Sequence, residues 1–169
     1  MILQTFDPTR RRLLLGAAAL GLAGAATPAL AAKPEQAFVA SPWRKLTDAE
    51  WKRRLPTESY DVLRHQSTER PFTSPLLNEH RKGNFACLGC GLALFRADWK
   101  YDSGTGWPSF FRAIDANVGK TQDFLLVYPR TEYHCAQCLG HQGHLFNDGP
   151  RPSGLRYCND GVALKFVPT

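Results

Sequence analysis

Two C-x-x-C knuckles constrain this chain more than any other feature: Cys87-Leu88-Gly89-Cys90 and Cys135-Ala136-Gln137-Cys138. Two thiolates at this spacing fold around one metal ion, and Gly89 eases the turn inside the first pair. Two knuckles facing each other supply four sulfurs, the tetrahedral donor set that suits zinc. The fold must therefore bring together two turns that lie far apart in sequence. Three other readings compete. A C-x-x-C can be a redox dithiol, but that motif normally opens a helix, and neither knuckle precedes a helical pattern. Iron in place of zinc would give a rubredoxin-like electron carrier. In an oxidising compartment the four could pair as disulfides. One structural zinc per chain is the expectation. A site closed by four protein ligands has no open position, so it holds the fold and does no chemistry.

The chain has 169 residues and five cysteines, so an odd cysteine is left over. Cysteine is too sparse for a disulfide scaffold, and the length buries a core without one. Charged residues make up 21% of the chain and hydrophobic ones 43%, which excludes wholesale disorder. The net charge is +6, partly from the amino-terminal arginines, and the rest of the basic residues are spread along the chain. No nucleic-acid partner is expected from so diffuse a charge.

The amino terminus reads as an address. Thr9-Arg10-Arg11-Arg12-Leu13-Leu14 leads into an Ala/Gly-rich apolar run from Leu13 to Ala26. Pro28 breaks the run, and Ala29-Leu30-Ala31 offers small residues for cleavage. These are the three parts of a signal peptide, and the paired arginines resemble the twin-arginine export signal. Residues 1–31 are therefore expected to be removed near Ala31, leaving a periplasmic protein. The run to Ala26 is 14 residues, short of the ~20 needed to span a bilayer, so no stable membrane insertion is expected. Export of a folded chain would let the metal load beforehand.

Residues 32–46 are polar and proline-interrupted and read as a flexible leader, with the domain proper over 47–169. Thr47 and Glu50 have capping-box spacing and predict a short helix over 48–55, stopped by Pro56. Tyr60 to Arg64 is a second short helix candidate, and Leu76 to Glu79 a further turn. From Gly83 onward, short apolar or alternating runs are separated by Gly, Asp and Pro. They are Asn84–Cys87, Ala93–Phe95, Phe110–Ile114, Phe124–Tyr128, Glu132–Cys135, His144–Phe146, Leu155–Cys158 and Val162–Phe166. That texture predicts a mainly β chain, an antiparallel barrel or sandwich wrapped by short amino-terminal helices.

The odd cysteine is Cys158, in Gly154-Leu155-Arg156-Tyr157-Cys158-Asn159-Asp160-Gly161. A lone cysteine is often only a small buried hydrophobe. Here Arg156 shares its strand face, and a cation there favours the reactive thiolate. Asp160 falls on the same face if the strand continues, where its charge opposes the thiolate unless it is protonated or pairs with Arg156. His141-Gln142-Gly143-His144 follows the second knuckle and offers two imidazoles for proton transfer. Ser103-Gly104-Thr105-Gly106-Trp107-Pro108-Ser109-Phe110 is a rigid loop presenting a tryptophan.

Together these residues resemble the B-type methionine sulfoxide reductases, which act on methionine-R-sulfoxide. The resemblance runs from about Trp51 to Pro168 and covers both knuckles, S-G-x-G-W-P-S-F, H-x-G-H-x-F-x-D-G-P and G-x-R-Y-C, in order. It implies two antiparallel sheets with amino-terminal helices and a structural zinc on Cys87, Cys90, Cys135 and Cys138. It also implies roles. Cys158 resembles the nucleophile, Arg156 the support of its thiolate, and Trp107 the residue that cups the substrate S-methyl group. The oxygen finally leaves as water, and His141 and His144 resemble the residues that protonate it. The intermediate would be a sulfenic acid on Cys158. The implied partners are oxidised proteins or peptides and an external thiol reductant, a thioredoxin-like protein or a small thiol, with the enzyme a monomer.

Two departures stand out. Many members carry a resolving cysteine between the two glycines before the tryptophan, where this chain has Thr105. No spare thiol then remains for an internal disulfide, so an outside thiol is expected to reduce Cys158. Members usually have an apolar residue and then Asn after the nucleophile, where this chain has Asn159 and Asp160. Asp160 either accepts hydrogen bonds in that amide's place or acts as an acid. If only hydrogen bonding matters, Asp160→Asn should leave activity intact. The alternative from another class is a zinc-ribbon binding module without catalysis, for which Cys158→Ser would be silent.

Overall fold

The computed structural model describes residues 32–124, 126 and 128–169. The export segment expected over 1–31 lies outside the described residues.

Two short helices open the domain, and local chemistry sets their ends. Thr47 caps α1 (Asp48–Arg54): its hydroxyl accepts from the Glu50 backbone N–H, and the Glu50 carboxylate accepts from the Thr47 backbone N–H. This is the reciprocal box that the spacing predicts. Pro56 stops α1 and caps the start of α2 (Thr57–His65), because it has no N–H to donate and its ring holds Leu55 in extended backbone. Both helices are too short to stand alone and depend on docking. Trp51, Tyr60, Val62 and Leu63 are the buried side chains that dock them.

The leader expected over 32–46 takes the form of two 3-10 turns, Pro34–Phe38 and Pro42–Lys45. Arg44 fastens it by donating to the carbonyls of Glu35, Ala136 and Gln137 at 2.6, 2.7 and 3.2 Å. Trp43 stacks on Trp51 at 5.9 Å.

Nine strands follow among the described residues. β1 (Gly83–Cys87) pairs with β2 (Ala93–Arg96) and with the last strand, β9 (Leu164–Pro168), in a three-stranded sheet of order β2-β1-β9. The remaining strands are β3 (Lys100–Tyr101), β4 (Ser109–Phe110), β5 (Val118–Asp123), β6 (Arg130–Cys135), β7 (His141–Phe146) and β8 (Arg156–Asn159). They form a six-stranded sheet of order β3-β4-β8-β7-β6-β5. All described pairings are antiparallel. The result is mainly β with two sheets, as expected, but the sheets stay open and no barrel closes among the described residues.

Aromatic side chains fill the space between the sheets. Phe95 stacks on Phe110 at 4.1 Å, Phe85 meets Phe110 edge-on at 5.0 Å, and Tyr133 meets Tyr157 at 5.3 Å. Successive strand residues face opposite sides. Tyr157 and Tyr133 therefore turn to the core while their neighbours Cys158 and Glu132 turn away from it. The core thus fixes which residues the other face presents.

The strand expected over Phe124 to Tyr128 is corrected: its described residues, Phe124, Leu126 and Tyr128, lie in no strand, fall between β5 and β6, and are 73%, 46% and 61% exposed. The strand lies just before it, in the polar stretch Val118–Asp123.

Candidate active site

Each knuckle sits at the end of a strand from a different sheet. Cys87 closes β1 and Cys135 closes β6. The Sγ atoms of Cys87 and Cys138 are 3.6 Å apart, those of Cys90 and Cys135 3.4 Å apart, and all four lie within 4.8 Å of one another. Zinc–sulfur bonds of ~2.3 Å in a tetrahedron place sulfurs about 3.8 Å apart, so the donor set fits one such ion. The Gln142 side-chain amide donates to the Cys87 sulfur at 3.4 Å, a contact suited to a ligating thiolate. The four cysteines could hold a structural metal that clips the two sheets together.

Cys158 lies apart from that cluster. One row of paired residues crosses the six-stranded sheet: Tyr101 opposite Ser109, Ser109 opposite Cys158, Cys158 opposite His144, and His144 opposite Glu132. Directly paired residues share a face. Register alone therefore sets the lone thiol beside His144. Cys158 opens onto a cavity of about 130 Å³ lined also by Thr68, Trp107, Arg130, His144 and Asp160.

His141 and His144 are three residues apart and would face opposite sides of a regular strand. A bulge corrects this. Tyr133 pairs with Gly143 but His134 pairs with His141, so Gln142 is the extra residue. Both imidazoles then reach one side, with ring centres 5.4 Å apart. Gly143 makes the close approach to β8 possible: a Cβ there would meet the Cys158 carbonyl oxygen at 2.0 Å, and its φ is +152°.

The two histidines occupy different environments. His144 lines the cavity, and its Nε2 is 2.8 Å from Asp123 Oδ2, which also accepts from Arg130 at 2.5 Å. Burial pushes His144 below the usual histidine range, the nearby Arg130 adds to this, and the Asp123 hydrogen bond opposes it. His141 lies deeper, only 2% exposed, and does not line the cavity. Its Nδ1 is 2.9 Å from Glu132 Oε1, and its Nε2 faces Asp160 Oδ2 at 3.8 Å.

Arg156 does not pair with Asp160, one of the outcomes left open above. Its guanidinium makes a fork to Asp148 with two bonds of 2.8 Å and lies over the Phe146 ring at 4.2 Å. Burial raises the Cys158 thiol; the Arg156 charge and a hydrogen bond from Thr105 oppose this, while Asp160 adds to it. Thr105 thus stands beside the nucleophile candidate, linked through Ser103 to Ser109 by two hydroxyl contacts of 2.8 Å. Gly106, at φ +90°, carries the chain into Trp107, and a Cβ there would meet the Phe72 nitrogen at 2.8 Å. Asn159 turns to the core, where the Tyr133 hydroxyl donates to it at 2.8 Å.

Sequence reasoning missed several residues that build the site. Glu69 is 2% exposed and works as a clamp. Its carboxylate accepts from the backbone N–H groups of Gly161 and Val162, its carbonyl accepts from the Trp107 indole, and its own N–H donates to Asp160 Oδ1. Glu132 holds Thr121, His134 and His141 at 2.7, 3.0 and 2.9 Å. Burial penalises its charge, but these bonds outweigh that and draw it down to about 2. Asp123 and Arg130 complete the surroundings of His144. A charged residue inside a run of strand residues was the available signal for Glu132; Glu69 gave none, since its partners are distant in sequence.

A cavity that exposes one thiol, while the other four sulfurs are gathered elsewhere, marks a protein arranged for single-thiol chemistry. Residues 55–168 match the SelR domain. The peptide methionine sulfoxide reductase MsrB of Leptospira interrogans is 48% identical over 116 residues, covering 68% of this chain and 88% of that protein. Its namesake from Bradyrhizobium diazoefficiens is 48% identical over 118 residues, covering 69% and 85%. The chloroplastic peptide methionine sulfoxide reductase B1 of Arabidopsis thaliana is 45% identical over 115 residues, covering 68% and 57%. The chain belongs to the SelR-domain family.

Proposed function

We propose that the chain reduces methionine-R-sulfoxide, chiefly within peptides and proteins, to methionine at the expense of an external thiol. The observation that carries this reading is the cavity itself, where Cys158, Trp107 and His144 meet. The match over residues 55–168 and the relatives named above support it.

The chemistry follows from the residues present. Cys158 attacks the sulfoxide, with Arg156 and Thr105 favouring its thiolate against the penalty of burial. Trp107, its indole pinned by the Glu69 carbonyl at 3.1 Å, offers an apolar face to the S-methyl group. His144 lines the cavity and is placed for proton transfer, with His141 buried behind it. The sulfoxide oxygen ends on Cys158 as a sulfenic acid, the substrate sulfur becomes a sulfide, and the thiol reductant then removes the oxygen as water. Zinc on the four knuckle cysteines would act as a cross-link away from the reaction.

Thr105 and the engagement of the other cysteines support a single-thiol cycle without an internal disulfide. The three-part segment over residues 1–31 supports export to the periplasm by the twin-arginine route. The test is a peptide carrying mixed sulfoxide epimers, supplied with a dithiol. Only the R epimer should disappear, and Cys158→Ser should abolish its loss. Unchanged R epimer with the wild-type protein would favour a non-catalytic binding module.

A further inference from the structure

Three buried groups form a line that ends at the cavity: Glu132, His141 and Asp160. Glu132 is ionised and can only accept, so His141 Nδ1, 2.9 Å away, carries the hydrogen between them. In the neutral ring this leaves a lone pair on Nε2. That atom is fully buried and has no hydrogen-bond partner. What it faces, at 3.8 Å, is Asp160 Oδ2. A lone pair opposite a carboxylate is repulsive, whereas one proton between them makes the contact attractive. The geometry therefore calls for the pair to hold one shared proton.

Asp160 is the member of that pair that reaches the cavity. It is 4% exposed yet lines the cavity with Cys158, while His141 sits behind it. The groups facing it are His141 from β7, Cys158 and Tyr133 from β8 and β6, Glu58 from α2, and Glu69 from the segment after α2. Burial is the largest influence on Asp160 and raises it to about 7; the Glu69 N–H and the His141 charge oppose this, and the charges of Glu69 and Glu58 add to it.

We propose that Asp160 is a catalytic acid that protonates the sulfoxide oxygen, and that Glu132 and His141 are positioning residues that orient its proton. The assignment rests on the reading of Cys158 as nucleophile. In the step, the Cys158 thiolate is oxidised by two electrons and the substrate sulfur is reduced by two. The sulfur–oxygen bond of the sulfoxide breaks, and a bond from that oxygen to Cys158 Sγ takes its place. The hydrogen on the resulting sulfenic acid comes from Asp160, which is left as a carboxylate. Solvent reaching the cavity then reprotonates Asp160, and the His141 Nε2 lone pair orients the new proton. The gap of 3.8 Å is about 1 Å too long for a direct hydrogen bond, so this contact needs a small closure or one intervening water.

The test is the rate of sulfenic acid formation in a single turnover of full-length protein, followed against pH with an R-sulfoxide peptide. In the wild type the rate should rise as Cys158 ionises, then level off as pH passes about 7, because loss of the Asp160 proton cancels the further gain in thiolate, and fall only above the range of the thiol. Asp160→Asn keeps the acceptor for the Glu69 N–H but has no proton to give. It should be at least tenfold slower below that pH and keep rising through it without the break. Glu132→Gln still accepts from His141 but carries no charge, so the break should survive at a displaced pH. An unchanged break in Asp160→Asn would overturn the proposal and assign the acid to another group. If Asp160→Asn does not fold, an unmoved break in Glu132→Gln overturns it instead. A wild-type protein inert toward the peptide would defeat the underlying reading of the function.

Discussion

The two cysteine regions of this molecule use one functional group in opposite ways. Around Cys87, Cys90, Cys135 and Cys138, sulfurs face one another, a side-chain amide and a backbone N–H, at the junction of two sheets. Cys158 instead meets an arginine, a threonine hydroxyl, an aspartate and an open cavity. A thiol's neighbours thus set what it is placed to do: four gathered thiols could hold a metal, whereas the single thiol stands with titratable groups at a cavity, as its proposed role as nucleophile requires.

The sharpest way to break this contrast is Cys158→Ser. It should reduce R-sulfoxide turnover below detection and leave zinc content and the melting temperature close to wild type. Residual turnover at a knuckle cysteine would erase the distinction. Removal of the metal should do the reverse. Structural zinc sites are worth roughly 10–16 kcal/mol in small domains, as much as or more than the ~5–15 kcal/mol of a typical fold. A strong chelator under denaturing stress, or Cys135→Ser, should unfold the chain cooperatively, read by circular dichroism. A folded, metal-free and active protein would show that the clip is dispensable.

Smaller effects sharpen the Cys158 side. Trp107→Ala removes an apolar wall worth about 2 kcal/mol, which is roughly thirtyfold in kcat/KM. It should leave alkylation of Cys158 unchanged, because the thiol's own surroundings survive. The smallest effect is on stability. The folded state raises Asp160 from its ordinary 3.8 to about 7. It therefore binds that proton more tightly than the unfolded chain, and the penalty develops as pH rises from about 4 to about 7. Asp160→Asn should melt higher than wild type at about pH 8, with the gap narrowing as the pH is lowered toward 5.

Both cysteine regions were legible in the sequence as inventories of residues, the metal site more fully. Two C-x-x-C spacings dictate their own local geometry, so Cys87 to Cys138 could be gathered on paper. Cys158, His141, His144 and Trp107 could be named but not arranged. The bulge at Gln142 that turns both histidines to one side leaves no mark in a two-residue alternation, and it separates the cavity histidine from the buried one. Long-range clamps were invisible for a related reason. Glu69 and Asp160 are 91 positions apart, yet one backbone N–H joins them. Among the strands, hydrophobicity misled at Phe124, Leu126 and Tyr128, exposed apolar residues outside any strand, while polar β5 passed unnoticed because it sits at the sheet edge with half its residues in water. The leader over 32–46 looked loose by composition, but Arg44 ties it down through three carbonyls.

The most direct test of the division of labour is intact-mass and peptide analysis after one turnover with an R-sulfoxide peptide and no reductant. The expected product carries one added oxygen, located on Cys158, with the zinc and its four thiolates unchanged. A disulfide between Cys158 and any knuckle cysteine, with release of the metal, would contradict it.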